Sequence, residues 1–140
     1  MKFMNKYIFT DTSALIAVLN KKDQYHEQAA AAYHDILNGS SFLLITTHVF
    51  AETLTRIARR VSQQAAIAAG TGIRNQARIN MVTPTIDALD QAWKIFQSYN
   101  DQQFSFVDCI SFAVMQELNL SRAFAFDKHF KIMGFETIEE

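Results

Sequence analysis

The stretch FAFDKHF (124–130) runs alternating Phe and Ala into an aspartate, Asp127, and YIFTDTS (7–13) likewise runs into Asp11. Two apolar segments far apart in the chain therefore both reach a carboxylate as they end. Short apolar runs of this kind read as buried strands. Four are present: 7–10, SFLLIT at 41–46, INMV at 79–82 and AFAF at 123–126. Gly134 introduces a fifth, FETI (135–138), read as an edge strand. Between them lie helical patterns over 12–19, over the Ala-rich 23–37, and over 48–60, with Thr47 as cap. A further helix over 62–70 is expected to break at Gly70-Thr71-Gly72, followed by a short helical stretch from 73 to 78. Thr83-Pro84 is read as the opening of the next helix, since Pro suits the first helical position. Ile86, Leu89, Trp93 and Phe96 share one face of that helix. The segment 105–118 is a further helix with a broad apolar side. Alternating strands and helices predict an α/β fold in three layers. Its centre is a mostly parallel sheet of about five strands flanked by helices. Open sheets of this kind bind ligands at the carboxyl ends of their strands, where Asp11 and Asp127 stand.

The bulk properties fit one domain spanning 1–140. Hydrophobic residues make up 49%, which excludes a disordered chain, and a net charge of −1 excludes a general polycation. Cys109 is the lone cysteine, so no intrachain disulfide forms, and a cytoplasmic location is expected. The start MKFMNKYIFTDTSALIAVLN imitates a signal peptide briefly, but Asp11 and its hydroxyl neighbours cut the apolar run and no small-residue cleavage site follows. No run reaches the ~18 apolar residues of a membrane span.

Four acids stand out, and each has a structural reading of its own. Asp11 suits the N-cap of the helix from Thr12, and Asp127 suits a turn through Lys128–Phe130. Asp108 follows Ser105 at capping-box spacing, and Glu52 precedes Arg56 by one helical turn. Together they point elsewhere. All four fall toward one edge of the sheet, and carboxylates within about 4 Å repel by about 4 kcal/mol per pair at an effective dielectric near 20. Such a cluster takes up protons or a cation. Hard ions such as Mg²⁺ and Mn²⁺ accept carboxylate oxygens and water. Thr12, Ser13 and Ser105 beside the acids can orient them, or cap helices.

The segments FTDTSALIAVLN, THVFAETLTRI, FSFVDCISFAVMQELNL and AFAFDKHFKIMGF, in this order and spacing, resemble the PIN-domain ribonucleases, most closely the VapC-type toxins of toxin–antitoxin pairs. The resemblance spans nearly the whole chain and implies a PIN-like fold. It implies an Mg²⁺ or Mn²⁺ site at Asp11, Glu52, Asp108 and Asp127, hydrolysis of RNA, an antitoxin partner whose tail fills a groove near the acids, and a homodimer. The hydroxyl beside the family's acidic cluster corresponds to Ser105, with Thr12 or Ser13 the looser match.

Metal-assisted phosphodiester hydrolysis is the chemistry expected. Cys109 follows Asp108 but points about 100° away on the helix, into the core. His26, His34, His48 and His129 have no metal-type spacing; His129 is nearest an acid and either touches substrate or is an ordinary half-exposed histidine. Between Thr53 and Ile86 stand five arginines (Arg56, Arg59, Arg60, Arg74, Arg78) and no Asp, Glu or Lys, a local charge of +5 against −6 elsewhere. They suit phosphate or an acidic partner, or form a solvated face. Lys128, Lys131 and Arg122 flank the last acid. Phe42, Phe106, Phe112, Phe124 and Phe126 read as core. A catalytically inactive PIN-like binding module is the alternative, and the full set of four acids speaks against it. A phospho-receiver is excluded because INMVTPT carries no acceptor aspartate. A small phosphohydrolase would need a second acid where Ser13 stands.

Overall fold

The computed structural model describes residues 6–138. Residues 1–5 of the leader-like start, and the last two of the expected 1–140 domain, lie outside the described residues. The chain runs β1 (Tyr7–Thr10), α1 (Thr12–Leu19), α2 (His26–Asn38), β2 (Phe42–Thr46), α3 (Thr47–Arg60), α4 (Gln63–Asn75) and β3 (Ile79–Val82). It continues with α5 (Ile86–Ser98), α6 (Phe106–Glu117), β4 (Arg122–Phe124), α7 (His129–Ile132) and β5 (Glu136–Ile138). The five strands form one sheet in the order β3-β2-β1-β4-β5, and every described pairing is parallel.

That order decides where a ligand can sit. After β1 the chain moves outward through β2 to β3, then returns across the sheet to place β4 on the other flank of β1. The crevice beyond the carboxyl ends of β1 and β4 is thus the switch point of the topology. Phe9 pairs with Ala123 and Thr10 with Phe124, and the Asp11 N–H continues the ladder to the Phe124 carbonyl at 3.1 Å.

Burial explains the strand sequences. Ile8, Phe9, Leu43, Leu44, Ile45, Ala123 and Phe124 are all buried, as near-continuous apolar strands of a covered parallel sheet must be. Phe9, Phe112, Phe124 and Phe130 are fully buried and dominate the core. In α6 every residue from Asp108 to Met115 is buried, so this helix carries an acid into the interior. Hydroxyl caps start four helices: the side chains of Thr46, Ser62, Thr85 and Ser105 each accept a backbone N–H. Each such cap contributes about 1 kcal/mol.

Several expected boundaries shift, each for a visible reason. The cap of α3 is Thr46, the last residue of β2, and not Thr47. Asp23 accepts the Tyr25 N–H in a turn, so α2 begins at His26. Thr85 caps α5, leaving Pro84 outside the helix. β4 stops at Phe124, because the Phe126 N–H turns to the Ser13 hydroxyl at 3.0 Å. α4 does not break at Gly70 but continues to Asn75. A Cβ at Gly70 would lie 3.3 Å from both Leu54 methyl carbons and 3.6 Å from Phe50 Cζ. The glycine therefore serves close approach of α4 to α3 rather than a turn. Of the four residues expected on one face of α5, Leu89 packs partly buried on the core, but Ile86, Trp93 and Phe96 are 76%, 54% and 40% exposed, while Ala88, Ala92 and Ile95 face the core. Phe106, read as core, is 38% exposed beside them.

Replacing Gly70 by Val is expected to overpack the α3–α4 contact and lower stability by about 1–3 kcal/mol. Urea unfolding of the two proteins measures this, and an unchanged midpoint would show that the contact yields freely.

Candidate active site

Asp11 occupies the first position past β1 and caps α1. Its Oδ2 accepts the Ser13 N–H at 3.2 Å and the Ser13 hydroxyl at 2.8 Å. The same hydroxyl accepts the Phe126 N–H, so Ser13 stitches the end of β1 to the segment leaving β4. Asp127 follows immediately and its Oδ1 accepts the His129 N–H at 3.0 Å. Asp108 enters from α6 in a full capping box: its backbone N–H donates to Ser105 Oγ at 3.0 Å, and its Oδ2 accepts the Ser105 N–H at 2.9 Å. Glu52 comes from α3, with Arg56 Nη2 3.8 Å from its Oε2.

These parts enclose one cavity of about 240 Å³, lined by Asp11, Thr12, Ser13, Glu52, Arg56, Gln103, Ser105, Asp108, Asp127 and His129. All four acids named from the sequence line it, as do the three hydroxyl residues. The capping and turn readings hold as well, so three of the acids act in both capacities. Sequence reasoning gave too little weight to His129. Its Nδ1 lies 3.0 Å from Asp108 Oδ2 and 4.0 Å from Asp127 Oδ1. The usable signal was its place two residues after Asp127, where an Asx-type turn folds the ring back toward the acids.

The basic residues do not act as one group. Arg56 lines the acidic cavity and also an adjoining groove of about 460 Å³, shared with Arg60, Lys21 and Lys22. Arg59 is exposed on α3, and Arg74 lines a separate cavity beside β3. Arg78 is committed to structure: its Nη1 donates to the Ser41 carbonyl at 2.9 Å, and its guanidinium lies 4.9 Å from the centre of the Phe42 ring. Lys128 is exposed and does not line the acidic cavity.

Crowded carboxyls keep their protons. Burial, reinforced by the charge of Asp108, raises Asp11 above the usual carboxylate range. Asp127 is pushed up to about 8, first by burial, then by the charge of Asp11 and a hydrogen bond to it, then by Asp108. Burial, with Asp108 beside it, pushes the Cys109 thiol up to about 11. A thiol so firmly protonated is no nucleophile at neutral pH.

The donor set suits a hard divalent cation. One ligand atom each from Asp108, Asp127 and His129 falls within 4.8 Å of the others. Asp11 joins this set through its bond to Asp127, and Glu52 faces it from α3. Thr12 Oγ1 is buried with no hydrogen-bond partner among the described residues, in a residue that lines the cavity, a polar atom left for a guest or its water.

The PIN domain family model matches residues 8–136. The chain belongs to the PIN-domain family. This PIN domain is 34% identical over 128 residues to the 23S rRNA-specific endonuclease VapC20 of Mycobacterium tuberculosis (strain ATCC 25618 / H37Rv), covering 91% of this chain and 95% of that one. The crystal structure of M. tuberculosis VapC20, titled a sarcin-ricin loop cleaving toxin, superimposes with a TM-score of 0.84 over the same shares of the two chains. VapBC2 from Rickettsia felis, solved with a promoter DNA fragment, has a TM-score of 0.70 at 8% identity, covering 94% of this chain and 96% of that one. At that identity the likeness concerns the fold alone. The expectation of a PIN-like α/β fold, most similar to the VapC type, holds.

The raised carboxyl of Asp127 sets a sign for pH. Its folded-state value lies above its ordinary 3.8, so its contribution to stability is full below about 4 and is lost as pH rises toward about 8. With chelator present, thermal unfolding is expected to show stability declining across that window. Added Mn²⁺ should recover most at its alkaline end, because cation binding must displace the proton. A Mn²⁺ gain that is flat with pH would contradict the assignment.

Proposed function

We propose that this chain is a divalent-cation-dependent endoribonuclease using Mg²⁺ or Mn²⁺, and the toxin of a VapBC-type pair. One observation carries the reading: four carboxylates from four separate elements line a single small cavity at the switch point of a parallel sheet. Asp11, Asp108 and Asp127 would hold the cation with Glu52 closing the site. Each of the first three spends one oxygen on a protein donor, Oδ2 of Asp11, Oδ2 of Asp108 and Oδ1 of Asp127. A bound divalent cation supplies Lewis acidity at phosphate and activation of water.

The protein's own part is orientation. Ser13 fixes the Asp11 carboxylate through two hydrogen bonds, and Ser105 fixes Asp108 through its backbone N–H. Arg56 sets a guanidinium at the wall of the cavity, where a phosphodiester oxygen can take it in place of Glu52. The relative's substrate makes 23S rRNA the first RNA to test.

The larger groove suits the antitoxin. Ile16, Leu19, Ile57, Val61 and Ala65 give it an apolar floor, with Lys21, Lys22, Arg56 and Arg60 also lining it. An amphipathic segment with acidic side chains fits that combination. The homodimer is assigned to the aromatic face of α5 and the start of α6. There Trp93, Phe96 and Phe106 pack ring to ring within 6.3 Å while remaining exposed, a surface of a kind that monomers rarely leave to water. We assign the protein to the cytoplasm, acting as one nuclease unit over 1–140; no helix among the described residues is long and apolar enough to cross a membrane.

Cleavage of 23S rRNA by the purified protein should require Mg²⁺ or Mn²⁺ and stop with chelator. Asp11→Asn should lower the single-turnover rate at least ~100-fold, the order expected when one of a set of acting groups is lost. Metal binding without any cleavage would instead make the chain a binding module. A Trp93→Glu, Phe96→Glu double variant should sediment as a monomer where the parent is dimeric; a monomeric parent sinks the interface assignment.

A further inference from the structure

We propose that His129 is the positioning residue that holds Asp108 and Asp127 at the spacing a divalent cation needs. It would do so through one N–H from its main chain and one from its ring, an inference that rests on the cation-binding reading above. The two acids come from different elements, Asp108 from the first turn of α6 and Asp127 from the turn after β4. One residue reaches both. The His129 main-chain N–H donates to Asp127 Oδ1 at 3.0 Å, and its Nδ1 stands 3.0 Å from Asp108 Oδ2. In the tautomer that carries its hydrogen on Nδ1, the ring donates to that oxygen. Asp108 Oδ2 then receives two N–H groups, from Ser105 and from His129. Two donors on one oxygen restrict the carboxylate's rotation and leave Oδ1 without a donor from either of them.

The ring is itself held. Phe104, 5% exposed, meets it edge-on with centroids 5.1 Å apart. The next residue, Phe130, is fully buried against Phe9, Phe112 and Phe135. Its anchoring fixes the turn from which the imidazole projects. Direct ligation by Nδ1 would require it to give up both its hydrogen and its bond to Asp108.

Electron paramagnetic resonance of Mn²⁺ tests this with the full chain and no substrate. His129→Ala, checked by circular dichroism for a retained fold, should bind Mn²⁺ about 10- to 100-fold more weakly than the parent, the range seen when a partner of a metal-holding group is removed. His129→Asn, whose amide N–H stands near the position of Nδ1–H, should recover most of that loss. Spin-echo spectra of the parent should lack the coupling of a bonded imidazole nitrogen. Equal Mn²⁺ affinity in the Ala variant would overturn the proposal. So would a loss that Asn does not repair, or a bonded-nitrogen signal, which would make His129 a ligand. A parent that binds no Mn²⁺ would remove the cation reading itself, and this inference with it.

Discussion

The parallel pairing of β1 with β4 is the constraint on which the rest of the molecule depends. Its last link, from the Asp11 N–H to the Phe124 carbonyl, joins residues more than a hundred positions apart and stops the two strands level with each other. Because both chains leave the sheet at that line, Asp11 and Asp127 emerge side by side. The Ser13 hydroxyl then locks the departure, giving a hydrogen to Asp11 and receiving one from Phe126. Without that register, neither the contact of the two acids nor the cavity around them would exist.

The acids are tolerated in a half-buried crevice because backbone N–H groups surround them. Asp11 and Asp108 sit at the starts of α1 and α6, where unsatisfied N–H groups concentrate partial positive charge. Asp127 finds the same kind of donor within its own short turn. Local structure thus offsets part of the repulsion, and the remaining excess appears as the proton kept by Asp127 near neutral pH. Charge elsewhere is arranged to match. Acids gather at the switch point, while Lys21, Lys22, Arg56 and Arg60 line the groove beside it.

Much of this was legible in the sequence. Apolar runs revealed the strands, their alternation with helices the parallel arrangement, and the acids at their ends the edge where the cavity lies. What escaped was decided by tertiary contact. Gly70 reads as a breaker locally, yet its missing side chain admits Leu54, and the helix continues. Trp93 and Phe96 look like core by spacing, yet the small residues Ala88 and Ala92 allow α5 to lie closer on its other side. Arg78 belongs by count to a basic group, but a carbonyl and a ring 36 or more positions away claim it. His129 follows Asp127 by two residues, which places it in a turn, but its contact with Asp108 depends on α6 arriving from outside its local sequence.

Among the four acids, Glu52 alone holds no post in the architecture. Asp11 and Asp108 begin helices and Asp127 shapes a turn, so each is anchored by the local structure it supports. Glu52 stands mid-helix with a loose partner one turn away. Were the fold alone maintained, drift would erase it first and leave the other three in place. Of the four acids it is therefore the one that the architecture does least to retain.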